Sequence, residues 1–187
     1  MILAFFQSML MYSLLLTPFY VIGRILFMGG KKQTNKREGF MLLFFIYCVC
    51  IFSQTIIPKL VLSNGNILFE TKNGIVSQNF VPFRTITQYI EQLNGPLATI
   101  AFYNLAGNIV LFIPFGFMTP LLWVKMRNSL GMVMVAIAIP VFIEGTQFFI
   151  GRSVDIDDVI LNTAAIIFGY GCWKLCMGLF NFIKRSK

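Results

Sequence analysis

Five apolar runs of bilayer-spanning length alternate with short polar segments along the chain, at about residues 2 to 28, 39 to 57, 100 to 123, 130 to 150 and 159 to 182. About 20 consecutive apolar residues make a helix that crosses the hydrocarbon core of a membrane. The pattern therefore predicts an all-α integral membrane protein, a bundle of about five transmembrane helices. One long polar segment, about 58 to 99, separates the second run from the third and is too short to build a core of its own. Within it, Leu60-Val61-Leu62 and Ile67-Leu68-Phe69 flank Ser63-Asn64-Gly65-Asn66, which reads as a hairpin with a two-residue turn. Ile86, Tyr89, Ile90 and Leu93 then recur at i, i+3, i+4 and i+7, with Arg84, Gln88, Glu91 and Gln92 on the other face. That spacing predicts an amphipathic helix, lying on the outer leaflet or packed against the bundle. Gly95-Pro96 ends it. The expected organisation is two helices with a basic turn between them over 1–57, an extracytoplasmic segment over 58–99, and a three-helix region over 100–187, all in a single membrane domain.

Composition agrees with this pattern. Of 187 residues, 57% are hydrophobic and 12% charged, and the mean hydropathy is +0.78; a soluble domain of this size has about 45–50% apolar and about 25% charged residues. The first run lacks the positive flank and small-residue cleavage site of a secretory signal and is expected to be retained. Histidine is absent. Its absence excludes Ser-His-Asp and Cys-His nucleophile systems, the HExxH zinc helix and every site that depends on imidazole. Cys48, Cys50, Cys172 and Cys176 lie inside apolar runs and read as small buried hydrophobes.

The net charge of +8 is a matter of topology. Arg24, Lys31, Lys32, Lys36, Arg37, Lys125, Arg127, Lys184, Arg185 and Lys187 fall on one side of the five-span plan, and Lys59, Lys72, Arg84 and Arg152 on the other. The richer side is expected to be cytoplasmic, with the N-terminus outside and the C-terminus inside. Lys174 falls within the last run, where it is expected to snorkel to the interface beside Trp173. No nucleic-acid partner is needed to account for the bases; membrane lipids are the expected neighbours. Most acids, by contrast, lie towards the outside: Glu70, Glu91, Asp155, Asp157 and Asp158, with Glu144 in the outer half of the fourth run.

Candidate chemistry comes from polar residues that lipid disfavours. An ionised carboxylate near the middle of a span costs on the order of 2.5–3.5 kcal/mol on insertion scales, so Glu144 is expected to face the bundle or water. Gln147 shares its face one turn nearer the surface, and Arg152 follows in the short outer loop. Asp158 and Asn162 repeat the i, i+4 spacing at the start of the last run, as do Asn104 and Asn108 at the start of the third. If these faces converge, the residues line one outward-facing polar pocket. Each also has a plainer reading: Asp155 or Ser153 as a helix cap with Asp157 and Asp158 in the first turn, the asparagines as interhelical hydrogen-bond donors, and Arg152 as a partner of Asp155. Ala165 and Gly169 read as close helix packing, and Pro114 and Pro140 as kinks. Asp155-x-Asp157-Asp158 has oxygen ligands suited to a hard cation but lacks the Gly and distal Glu of an EF-hand loop. No metal or cofactor is assigned.

In order, Asn104-x3-Asn108-x3-Phe112-Ile113-Pro114-Phe115-Gly116, Glu144-x2-Gln147-Phe148 and Arg152-x2-Asp155-x-Asp157-Asp158-Val159-x2-Asn162-Thr163 with Gly169-Tyr170 resemble the VanZ family. The stretch Asn79-Phe80-Val81-Pro82-Phe83-Arg84-Thr85-Ile86 resembles the segment that precedes the family's Asn-bearing span. The resemblance covers roughly 79 to 171, and departs from the family in Ala164-Ala165, where Gly is usual. It implies a multi-pass protein of the bacterial cell membrane that lowers susceptibility to teicoplanin-type glycopeptide antibiotics. Relatives also occur outside resistance clusters, so the resemblance leaves the native role open.

Three mechanisms fit these residues. In the first, the chain binds a lipid head group, a lipid-linked peptidoglycan precursor or the acyl tail of a lipoglycopeptide, using Arg84, Asn104, Asn108, Glu144, Gln147, Arg152, Asp155, Asp157, Asp158 and Asn162, with Arg84 and Arg152 as phosphate contacts. In the second it is an intramembrane enzyme acting on a lipid-linked envelope substrate, with Glu144 as general base, Asp158 as acid or metal ligand and Arg152 stabilising developing charge. The third is a small lipid transporter, for which five spans without an inverted repeat are few. Sequence leaves the oligomeric state open.

Overall fold

A helix that is apolar on every side belongs in lipid rather than on a water-facing surface, and the long helices of this chain are of that kind. A computed structural model describes residues 2–28, 35–57, 59–63, 66–70 and 78–185, with backbone alone at 2–5, 28, 59–63, 66–70 and 185. Among the described residues the fold is all-α apart from short strands. Five helices are long and apolar enough to cross a membrane, each starting and ending within a few residues of its expected bounds. The chain forms two compact units, Met1–Gly74 and Ile75–Lys187.

In the first unit, α1 (Ile2–Met28) and α2 (Asn35–Thr55) pack side by side. Ser13 meets Cys50, Tyr20 stacks on Phe45 with ring centroids 4.4 Å apart, and Arg24 grips Glu38 through Nε and a terminal nitrogen at 3.1 and 2.6 Å. The partners run in opposite order along the two helices, so they are antiparallel. The fork of Arg24 neutralises the acid of the first turn of α2 in the two-pronged geometry that guanidinium favours. Strands β1 (Lys59–Ser63) and β2 (Asn66–Glu70) pair antiparallel with Ser63 opposite Asn66, as the hairpin pattern requires. The turn residues Asn64 and Gly65, and Lys31, Lys32, Lys72 and Lys187, lie outside the described residues.

The second unit begins with a two-residue strand, β3 (Gln78–Asn79), followed by α3 (Arg84–Gln92), α4 (Ala98–Leu122), a 3-10 turn over Val124–Arg127, α5 (Ser129–Phe149), β4 (Val154–Asp155) and α6 (Ile156–Arg185). Its core is the crossing of α4 and α6. A Cβ added at Gly116 would overlap the Ile166 carbonyl, and one at Gly169 the Ile113 carbonyl; only glycine allows the two backbones this close. Asn108 meets Asp158 nearer the starts of both helices, so α4 and α6 run in the same direction. Gly169 therefore packs closely, as its spacing suggests, and its counterpart on α4 is Gly116.

Helix α5 runs antiparallel to α6, and a proline shapes their contact. Pro140 has no N–H, which leaves the carbonyl four residues earlier without its helical partner. That carbonyl, of Ala136, accepts instead from Thr163 Oγ1 of α6 at 3.1 Å. Thr163→Val keeps the shape and orphans the carbonyl. It should lower stability by about 1–2 kcal/mol, read as a lower midpoint of thermal unfolding in detergent; an unchanged midpoint would show that the bond contributes nothing.

At the other end of α5, basic and aromatic groups tie the turn together. Tyr170 Oη donates to the Arg127 carbonyl at 2.7 Å, and Arg127 Nε donates to the Pro120 carbonyl at 3.1 Å. Lys174 lies 4.8 Å over the Tyr170 ring, which stacks on Trp173, and donates to Ser129 Oγ at 2.8 Å. Lys174 thus carries its charge out of the span along an aromatic face.

Candidate functional site

The site is built where α5 ends and α6 begins. Gly151, with φ of 69°, lets the chain reverse after α5: Arg152 N–H donates to the Gln147 carbonyl at 2.9 Å and Gly151 N–H to that of Phe148 at 3.2 Å. This paired closure is the Schellman pattern, which favours glycine in the left-handed position. The chain then passes through β4, where Val154 and Asp155 pair in parallel with Gln78 and Asn79. Asp155 starts α6 as its cap, Oδ1 accepting from Asp157 N–H at 2.9 Å.

Asp155 is also a hub. Its Oδ1 accepts from Asn79 Nδ2 at 2.9 Å, its Oδ2 from Thr85 Oγ1 at 2.6 Å, and its own N–H donates to Glu144 Oε2 at 3.0 Å. Asn79, only 8% exposed, also donates to Thr85 Oγ1 at 3.0 Å and accepts from Val81 N–H at 3.1 Å. One turn of chain joins α5, α6 and the segment before α3.

Asp157 is fully buried, and its carboxylate serves another helix. It accepts the backbone N–H groups of Phe83 at 2.5 Å, Thr85 at 2.7 Å and Ile86 at 3.1 Å. These belong to the start of α3, whose cap position, Phe83, supplies no side-chain cap of its own and sits at φ 64°, a region costly for a bulky residue. The carboxylate thus satisfies donors that every helix start leaves open and holds the amphipathic helix in place. Ile86 and Tyr89 of that helix are half-buried, whereas Ile90 and Leu93 are exposed.

Asp158, on the same first turn, accepts from Asn108 Nδ2 at 2.6 Å. Tyr89 faces Asp158 and Asp155; burial pushes its phenol above the ordinary range, and the two carboxylates push the same way. One turn beyond Asp158, Asn162 is 4% exposed, and its Oδ1 finds no donor among the described residues.

Glu144 is 5% exposed, and among the described residues only its Oε2 is hydrogen-bonded. Asp155, Asp158 and Arg152 all lie within electrostatic reach of it. Arg152 is half-buried; burial lowers the pKa of its guanidinium while the charge of Glu144 opposes that shift. It forms no ion pair among the described residues, with Asp155 or any other acid. Gln147 is buried beside this cluster.

Glu144 and Asp155 reach a groove of about 380 Å³ whose walls are otherwise Phe80, Val141, Gly145, Phe148, Phe149, Val154, Ile156 and Val159. The polar spacing predicts a hydrophilic cavity; the observed lining is mostly hydrocarbon. The reason is physical: buried carboxylates need donors, so Asp155, Asp157 and Asp158 turn towards amides and backbone N–H groups inside the protein. Glu144, Arg152, Asp155, Asp158 and Asn108 do gather in one region. Arg84 and Asn104 are exposed, and neither side chain is hydrogen-bonded among the described residues. No cluster of three metal-ligating side chains occurs among the described residues.

Asn79, Thr85 and Tyr89 join the site although the sequence reading placed them only in the family-like stretch and on the amphipathic face, not among the site residues. The available signal was a helix start at Arg84 preceded by Val81-Pro82-Phe83, none of which can cap it.

A family model described as VanZ/LLP1 matches residues 40–177, which contain the whole of this constellation. No curated protein and no solved structure matches the chain.

Proposed function

The chain belongs to the VanZ/LLP1 family, and from that premise we propose that it lowers the susceptibility of a bacterial cell to teicoplanin-type lipoglycopeptides by binding an amphiphile in the groove beside Glu144. The amphiphile is a lipid head group, a lipid-linked wall precursor or the drug's own acyl tail. Binding removes drug from its target or changes the surface that the drug meets. The asymmetry of basic residues orients the groove outward, with the N-terminus outside and the C-terminus in the cytoplasm.

One observation carries this reading. Glu144 is more than nine-tenths buried, has an oxygen without a hydrogen-bond partner among the described residues, and lies in a groove walled by hydrocarbon. Asp155 and Asp157 have both oxygens hydrogen-bonded inside the protein, whereas Glu144 leaves one towards the groove. A catalytic reading needs Asp158 as a proton donor at the same substrate. The carboxyl of Asp158 is turned to Asn108 at 2.6 Å instead, so binding is favoured over catalysis.

Cells of a teicoplanin-susceptible host expressing the wild-type chain should become less susceptible. Glu144→Gln and Arg152→Ala should return them to the level of the empty vector while protein abundance in the membrane is unchanged. Undiminished protection in both variants would remove the groove from the mechanism.

A further inference from the structure

We propose that the groove selects a zwitterionic phospholipid bearing a primary ammonium, of the phosphatidylethanolamine type, with the ammonium at Glu144 and the phosphate at Arg152. The proposal rests on reading the groove as a binding site and goes on to name the class of its occupant.

Glu144 lines the apolar groove, and Arg152, two residues before the groove wall Val154, lies within electrostatic reach of it; the two opposite charges do not satisfy each other. Glu144 offers an unpartnered carboxylate oxygen, and Arg152 a guanidinium without an ion pair among the described residues. They lie close enough to interact electrostatically, yet no salt bridge joins them. The free oxygen of Glu144 opens on the groove, where it can accept from a molecule that enters, and a guanidinium fork suits phosphate. A molecule carrying a cation and an anion a few atoms apart satisfies both. An anionic lipid supplies only the second charge.

The neighbours decide which end goes deeper. Asp155 and Asp158 add negative potential around Glu144, which attracts a cation there and repels a phosphate. The ammonium therefore sits at Glu144 and the phosphate outward, at the loop that carries Arg152. A choline head is disfavoured because a quaternary nitrogen has no N–H to donate, whereas a primary ammonium has three. The rest of the groove, with Val141, Phe148, Ile156 and Val159 in its walls, suits hydrocarbon. Its volume of about 380 Å³ is at the small end for ligand pockets, enough for a head group and part of one chain.

The test uses the purified full chain in detergent, with phosphatidylethanolamine, phosphatidylcholine and phosphatidylglycerol of identical chains, bound lipid being read by native mass spectrometry. The ethanolamine lipid should be held about tenfold more tightly than either of the others, the share of one charge-assisted hydrogen bond. Glu144→Gln should abolish the preference for ethanolamine over choline, and Arg152→Gln should weaken all three lipids. Val141→Trp, at a half-exposed position in the groove wall, should fill the groove and weaken all three as well. Equal retention of the three lipids by the wild type, an amine preference that survives Glu144→Gln, or full retention by Val141→Trp would each overturn the proposal. Loss of antibiotic protection in Glu144→Gln cells together with no head-group preference in the purified protein would leave the binding groove in place and remove only this choice of lipid.

Discussion

Asp157→Ala should release the first turn of α3 from the rest of its unit and destabilise the protein by about 4 kcal/mol. The carboxylate is fully buried and accepts three backbone N–H groups. Hydrogen bonds to a charged group contribute about 1.5–3 kcal/mol each, and the freed amides regain part of that from water. Phe83 would also lose what holds it at φ 64° and should relax to an ordinary backbone conformation. Amide hydrogen exchange is the direct reading: protection at Phe83, Thr85 and Ile86 should collapse in the variant while that of the α4–α6 core persists. Asp157→Asn, which keeps one carbonyl acceptor, should lose about half as much. Asp158→Ala removes only the Asn108 bond and should leave α3 protected. Unchanged exchange at Thr85 and Ile86 in Asp157→Ala would show that α3 is held by its apolar face instead.

Gly116→Ala and Gly169→Ala should each cost about 3 kcal/mol or more. An exposed helical glycine replaced by alanine gains up to about 1 kcal/mol in helix propensity, so the sign depends on space alone. At Gly116 and Gly169 the added methyl would meet backbone carbonyls of the facing helix, which cannot rotate away as a side chain can. The helices must separate, and the contacts along their crossing loosen together. Gly171→Ala, with nothing within 4 Å of the new Cβ, provides the contrast and should be neutral or slightly stabilising. The measurement is resistance to thermal unfolding in one detergent for all three variants. Equal midpoints would mean that the α4–α6 contact is looser than described.

The aspartate and glycine variants act on different parts of the site. Asp157 positions the segment that carries Phe80, a wall of the groove, whereas Gly116 and Gly169 set the spacing that brings Asn108 to Asp158. Asp157→Ala should thus weaken lipid binding even in the fraction that stays folded. None of the three residues lines the groove itself.

The helices were legible in the sequence because their cause is local: a run of apolar residues long enough to cross hydrocarbon needs no tertiary partner to be recognised. The hairpin of β1 and β2 and the amphipathic α3 were legible for the same reason, as alternation and periodicity within one segment. Glu144 could be singled out because an acid inside an apolar run is costly wherever it points. What each acid faces depended on tertiary structure. Asp157 and Asp158 are neighbours in the chain but differ by about 100° around a helix, so one caps α3 and the other meets α4. Only the folded arrangement of three segments decides that, and it gave Asp157 to backbone amides rather than to an open pocket. Gly116 likewise looks like any other glycine of an apolar run until α6 lies against it, because close approach is a property of two helices and not of one.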